Sequence, residues 1–255
     1  MKNIFVLILV FFAFVQISAQ CIVLQNCQSS TQTCDLTANN SNLWNETYWN
    51  DPSNQTQDLA DTPVETSLSV LDTCAGATLT VRYLMYLDLD KDGTWETVVK
   101  SWEPPAPGTV NYNNWNNPNF NGGEARVFDE RPVTASDKYQ FAIETLVSGD
   151  TTLAYLRWNT QAAPGTFINP ELPYATHKIK WVLSDDLGSN AVCEYPIIVK
   201  DCKKPTVVCL NGIGVNIMPT EQITLWAADF LQYAEDNATP SSLLEYSIRK
   251  CATGL

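Results

Sequence analysis

The chain has a single histidine among its 255 residues, and no H-E-x-x-H run, Gly-rich phosphate loop or nucleophile motif. Those absences remove the common signatures of metalloproteases, nucleotide-dependent transferases and serine hydrolases. Acidic pairs need no fixed spacing, so a two-carboxylate glycosidase is the enzyme class they leave untouched. Basic residues are scarce too: 15 Lys and Arg against 28 Asp and Glu give a formal charge of -13. A surface of that sign repels nucleic acid and anionic lipid. Beyond the N-terminus no segment approaches the roughly 20 apolar residues that cross a bilayer, so no membrane insertion of the mature chain is expected.

What is present begins with an address. Met1-Lys2-Asn3 leads into an apolar run from Ile4 to Val15 that closes on Ser18-Ala19-Gln20. A short positive head, a hydrophobic stretch and small residues at the exit make residues 1–20 a cleavable secretory signal. Gln20 stands where lipid attachment to Cys21 would want a small residue, so a lipid anchor is not expected. All eight cysteines, Cys21, Cys27, Cys34, Cys74, Cys193, Cys202, Cys209 and Cys251, follow the signal. An even set in an exported chain favours disulfides. Zinc would need C-x-x-C pairs or more histidines. Eight cysteines allow on the order of a hundred connectivities. Cys74 and Cys193 lie on predicted strands far apart in sequence, as a pin between two sheets requires, and are the first expected pair. Cys202 with Cys209 or Cys251, and two of Cys21, Cys27 and Cys34 with each other, come next.

Residues 21–64 are polar and rich in Asn, Thr, Gln and Ser, and read as a cross-linked cap or irregular leader. Residues 65–203 alternate with period two. Leu79, Val81, Tyr83, Met85 and Leu87 share a face, as do Trp95, Thr97 and Val99. Tyr139, Phe141 and Ile143 form another such set, followed by Ile179, Trp181 and Leu183, and by Cys193, Tyr195, Ile197 and Val199. Seven or so short strands without an amphipathic helix predict an all-β domain, an immunoglobulin-like β-sandwich. The Pro- and Asn-rich stretch from Trp102 to Asp129 is too long for a hairpin connection and reads as a functional loop or an insertion. Residues 204–255 start a new pattern, with Val207 to Ile217 strand-like and Leu225 to Tyr233 as a short helix. About 50 residues make a marginal core, as expected of a partial second module.

The run from His177 and Trp181 through Asp185, Gly188, Asn190, Ala191 and Cys193 to Pro205 resembles the closing strands of hyaline-repeat (HYR-like) immunoglobulin-type modules. Pro205-Thr-Val-Val-Cys209 and Asp236-Asn237 resemble the start of a next copy. With a signal ending Ala-Gln, this looks like a large secreted or cell-surface protein of Bacteroidota. Leu187 and Ala238 stand where such modules often carry cysteine, which leaves the pairing of the others open. The pattern stops midway, as in a fragment of a longer repeat protein. The resemblance implies an adhesive or structural spacer role without catalysis, and an extracellular protein or a glycan surface as partner. The alternative is a carbohydrate-binding accessory module of a secreted enzyme, and the two differ in whether the gene continues into more repeats or a catalytic domain.

Two constellations could carry binding. Asp88, Asp90, Asp92, Thr94 and Glu96 set oxygen ligands at alternate positions around Gly93, as a hard cation such as calcium prefers. Counted from Asp88, the twelfth position is Val99 and not the glutamate of an EF-hand loop, and the flanks are strands. The same residues equally suit a polar hairpin turn in which Asp bonds the local backbone and Gly93 takes positive φ. Tyr112, Trp115 and Phe120, like Trp44, Tyr48 and Trp49, sit among Asn and Gly, where aromatics either stack on sugar rings or fold back over sheet edges. Asn39, Asn45, Asn54 and Asn237 begin N-x-S/T sequons that matter only in a glycosylating host.

Overall fold

The computed structural model describes residues 21–35, 61–74, 76–89, 93–95, 97–107, 129, 131–212, 214, 223–236 and 244–249. The period-two segments form strands. In chain order these are β1 (Ile22–Asn26), β2 (Thr31–Asp35), β3 (Asp61–Pro63), β4 (Ser67–Asp72), β5 (Thr80–Leu87), β6 (Thr97–Lys100) and β7 (Tyr139–Ser148). They continue with β8 (Thr151–Thr160), β9 (Glu171–Pro173), β10 (Thr176–Ser184), β11 (Asn190–Asp201), β12 (Thr206–Cys209) and β13 (Leu231–Glu235).

Two large sheets result: a four-stranded one in the order β1-β4-β8-β7 and a five-stranded one in the order β2-β11-β10-β5-β6. Their pairings are antiparallel except that of β2 with β11, which is parallel. The β7–β8 hairpin turns on Gly149, whose φ of 59° suits a residue without Cβ, and Ser148 faces Thr151 across the turn.

Alternation puts one face of each sheet into a common core. Leu68, Val70, Phe141, Leu156 and Trp158 from the first sheet belong to the same buried cluster as Tyr83, Met85, Ile179, Trp181 and Ile197 from the second. Trp158 stacks on Tyr139 at 5.7 Å and takes Phe141 edge-on at 5.7 Å, while Trp181 meets Tyr83 edge-on at 5.6 Å. Polar ties cross between the sheets as well. Tyr83 Oη donates to the Ala142 carbonyl at 3.0 Å. Tyr195 Oη bonds the Thr66 hydroxyl, donates to the Ser67 carbonyl at 3.3 Å and takes the Trp181 indole N–H at 3.2 Å.

Two expectations change. Part of the leader is built into the frame: β1 is an edge of one sheet and β2 an edge of the other, so 22–35 is no separate cap. β2 reads Thr-Gln-Thr-Cys-Asp and carries no apolar alternation, whereas β1 buries Ile22 and packs Leu24 against the core, a short apolar signal inside a polar segment. In the C-terminal piece the helix expected from Leu225 to Tyr233 is a four-residue 3-10 turn, Ala227–Phe230, running into β13. The strand expected from Val207 to Ile217 is described only as Thr206–Cys209. β12 and β13 pair with each other and join neither large sheet.

Candidate functional site

The N-terminal strands are fastened covalently. Cys21 is bonded to Cys74, Cys27 to Cys193 and Cys34 to Cys202, with Cα separations of 5.2, 5.7 and 5.7 Å. These replace the expected Cys74–Cys193 pair. Cys193 is on β11 and faces the core, where the chain leaving β1 brings Cys27 to it, while Cys74 follows β4, next to the start of β1. Cys202 does not join Cys209, because the parallel β2–β11 register sets Cys34 against Lys200, two residues before it. Cys209 is exposed and unbonded, and Cys251 lies outside the described residues. No two of Cys21, Cys27 and Cys34 bond each other, since each sits beside a different strand end.

All three bonds leave the segment 21–34 and land elsewhere in the frame, two of them after 166 and 168 residues of sequence. A covalent route therefore runs from the first strands to the exit of β11 without passing through the chain between them. The turn that leads from β10 into β11, just before Cys193, is tight. Asp185 Oδ1 accepts the N–H groups of Leu187 at 3.0 Å and Ser189 at 2.7 Å, and Gly188 takes φ of 90°. Desolvation pushes the Asp185 carboxyl up, but bonds from Ser189, Leu187 and Gly188 outweigh it and hold it below its ordinary value. Ser189 Oγ in turn accepts the Cys21 N–H at 3.3 Å.

The Asp-rich turn joins β5 to β6. Asp88 is buried, and its Oδ2 accepts the Gly93 N–H at 3.2 Å, Gly93 having φ of 87°. Its own N–H donates to His177 Nδ1 at 3.2 Å, while His177 Nε2–H donates to the Pro173 carbonyl at 2.8 Å. The chain's one imidazole is fully buried and has both ring nitrogens on backbone groups. Asp90, Asp92 and Glu96 lie outside the described residues, as do Tyr112, Trp115 and Phe120, so only Asp88 and Thr94 of the expected site residues in these two constellations are located. Among the described residues no three His, Cys, Asp or Glu side chains cluster as metal ligands.

One anchor escaped the sequence reading. Asp129, buried at φ of 56°, holds Arg131 in a two-pronged pair at 2.7 and 2.6 Å and accepts the Tyr139 N–H at 2.6 Å. The Arg131 guanidinium lies 4.0 Å from the Tyr139 ring centroid, and the bond to Asp129 raises its pKa. The Asp129-Glu-Arg131 spacing at the end of the long insertion was the available signal.

The described residues thus define an all-β protein with three disulfides, in which no helix is long and apolar enough to cross a membrane. No known protein family matches the chain, and neither does any curated protein or solved structure.

Proposed function

We propose that the protein is a non-enzymatic extracellular module, immunoglobulin-like in architecture, that transmits tension as a spacer or adhesive element. The observation that carries this reading is the disulfide route: Cys27–Cys193 and Cys34–Cys202 join the first strands to the last strand of the frame and to the residue just beyond it. Tension entering before Cys21 and leaving after Cys202 is borne by covalent bonds, and the core between is shielded from it.

The strand order supports the immunoglobulin-like part. β1-β4-β8-β7 corresponds to A-B-E-D, and β11-β10-β5 to G-F-C with β6 as C′. The pin differs from that of antibody domains, since Trp181 and not cysteine occupies the inward position on β10. Secretion fits the signal-like N-terminus and the oxidised cysteines. The absence of catalysis fits a sole histidine whose ring nitrogens both serve the backbone. Mass mapping of unreduced peptides from the exported protein tests the reading. The Cys27–Cys193 and Cys34–Cys202 linkages are expected, and recovery of these four cysteines as free thiols or in other pairs removes the route.

A further inference from the structure

We infer that the outer face of the five-stranded sheet binds an anionic polysaccharide, a chain of uronate- or sulfate-bearing sugars. Residues alternating with the core positions form cross-strand rows on this face: Lys100–Leu84–Lys180–Glu194 is one, flanked by Val98–Tyr86–Lys178 and by Arg82–Val182–Val192. Four of the chain's 15 basic residues are gathered here, although the molecule as a whole stands at -13. Their acidic partners among the described residues are Glu194, 2.9 Å from Lys178 and 3.7 Å from Lys180, and Glu103, 3.4 Å from Lys100.

Aromatic rings are interleaved with these cations. Lys178 Nζ lies 4.4 Å from the Tyr86 ring centroid and 4.1 Å from that of Trp95, and Arg82 lies 5.6 Å from that of Trp102. Trp95 is fixed by its indole N–H on the Thr176 carbonyl at 3.1 Å, yet it stays 42% exposed, and Trp102 is 45% exposed. Arg82 and Tyr86 are four residues apart on β5, about 13 Å, so the two ring–cation groups suit an extended ligand rather than one small molecule. Apolar ring faces take the C–H side of a pyranose, and ammonium and guanidinium groups take its carboxylates or sulfates.

A thin, extended glycan can lie along this patch within a Debye length of about 10 Å without meeting the acidic remainder. A second copy would bring its own -13 surface against that remainder. Glu194 occupies the place of a ligand carboxylate: the bond from Lys178 holds its pKa low, so it stays charged and competes with the glycan. This inference is independent of the disulfide route, and either can fail alone.

The test is calorimetric titration of the whole chain with polygalacturonate in calcium-free buffer at about 0.1 M salt, where the Debye length is about 10 Å, beside neutral laminarin and a single-stranded oligonucleotide. Saturable binding to polygalacturonate alone is expected, weakening as salt rises. Trp95→Ala and Lys178→Gln should each lose about tenfold in affinity, and Glu194→Gln should gain severalfold. Unchanged melting temperatures show that the variants fold. Absence of binding, equal binding of laminarin or oligonucleotide, or wild-type affinity in both weakened variants overturns the site. So does Lys178-dependent self-association in sedimentation without glycan, which would assign the face to a second copy.

Discussion

At the scale of single residues, two buried polar groups tie the frame together and set its sensitivities. Asp129 is a buried carboxylate matched by a guanidinium and a backbone N–H. Its removal leaves Arg131 and the start of β7 without their partner, so Asp129→Ala should destabilise the fold by about 3–5 kcal/mol in urea unfolding. Tyr195 links β11 to Thr66 and to Ser67 at the start of β4, and receives the Trp181 indole N–H. Burial raises its hydroxyl pKa, against the opposing bonds from Thr66 and Trp181, so it remains a neutral donor. Tyr195→Phe keeps the ring but strands the indole N–H, and a loss of about 1–3 kcal/mol is expected by the same measurement. Asp185 and Glu194 both titrate below their ordinary values in the folded state. A depressed acid stabilises the fold above its unfolded pKa and loses that contribution as pH falls through the folded one. Melting temperature should therefore be flat through neutrality and fall below about pH 4. A melting temperature that rises on acidification would contradict those bonds.

At the scale of elements, the N-terminal strands depend on their cysteines more than on burial. β1 contributes Ile22 to the core, whereas β2 reads Thr-Gln-Thr-Cys-Asp and has no large apolar side chain. With Cys27–Cys193 in place, Cys34–Cys202 closes a loop of only about 15 residues and restricts the unfolded chain by about 3 kcal/mol on the loop-entropy argument. Replacing Cys34 and Cys202 together by Ala should thus leave the two-sheet core folded while β2 amides exchange with solvent much faster, a difference that hydrogen exchange would register. The contrast explains what was legible beforehand. Strands β5, β7, β8, β10 and β11 announce themselves because one face is buried and the apolar residues must alternate. β2 does not, because edge pairing and a disulfide replace apolar contact, and β1 is too short for Ile22 and Leu24 to mark a period. The disulfide partners were hidden for a related reason: they depend on which strands neighbour each other, and the parallel β2–β11 pairing leaves no periodic mark. Of the two expected binding constellations, Asp88 bonds the Gly93 backbone, while Asp90, Asp92, Glu96, Tyr112, Trp115 and Phe120 lie outside the described residues. The aromatic–cation face went unseen because its residues come from four separate segments that only the register brings into rows.

At the scale of the molecule, the described frame combines a well-filled core with a covalent bypass around it. A domain held only by its core would unravel under tension from its ends, because force would pull β1 and β11 apart in turn. Here that force meets Cys27–Cys193 and Cys34–Cys202 first. Stretching single molecules between handles placed before Cys21 and at Lys204 measures this directly. Oxidised chains should show no release of the frame. Chains reduced with dithiothreitol should unfold with a gain near 570 Å, about 3.4 Å for each of the 168 residues enclosed by Cys34–Cys202. A gain of that size without reductant would mean that tension passes through the core, contradicting a spacer shielded by its disulfides.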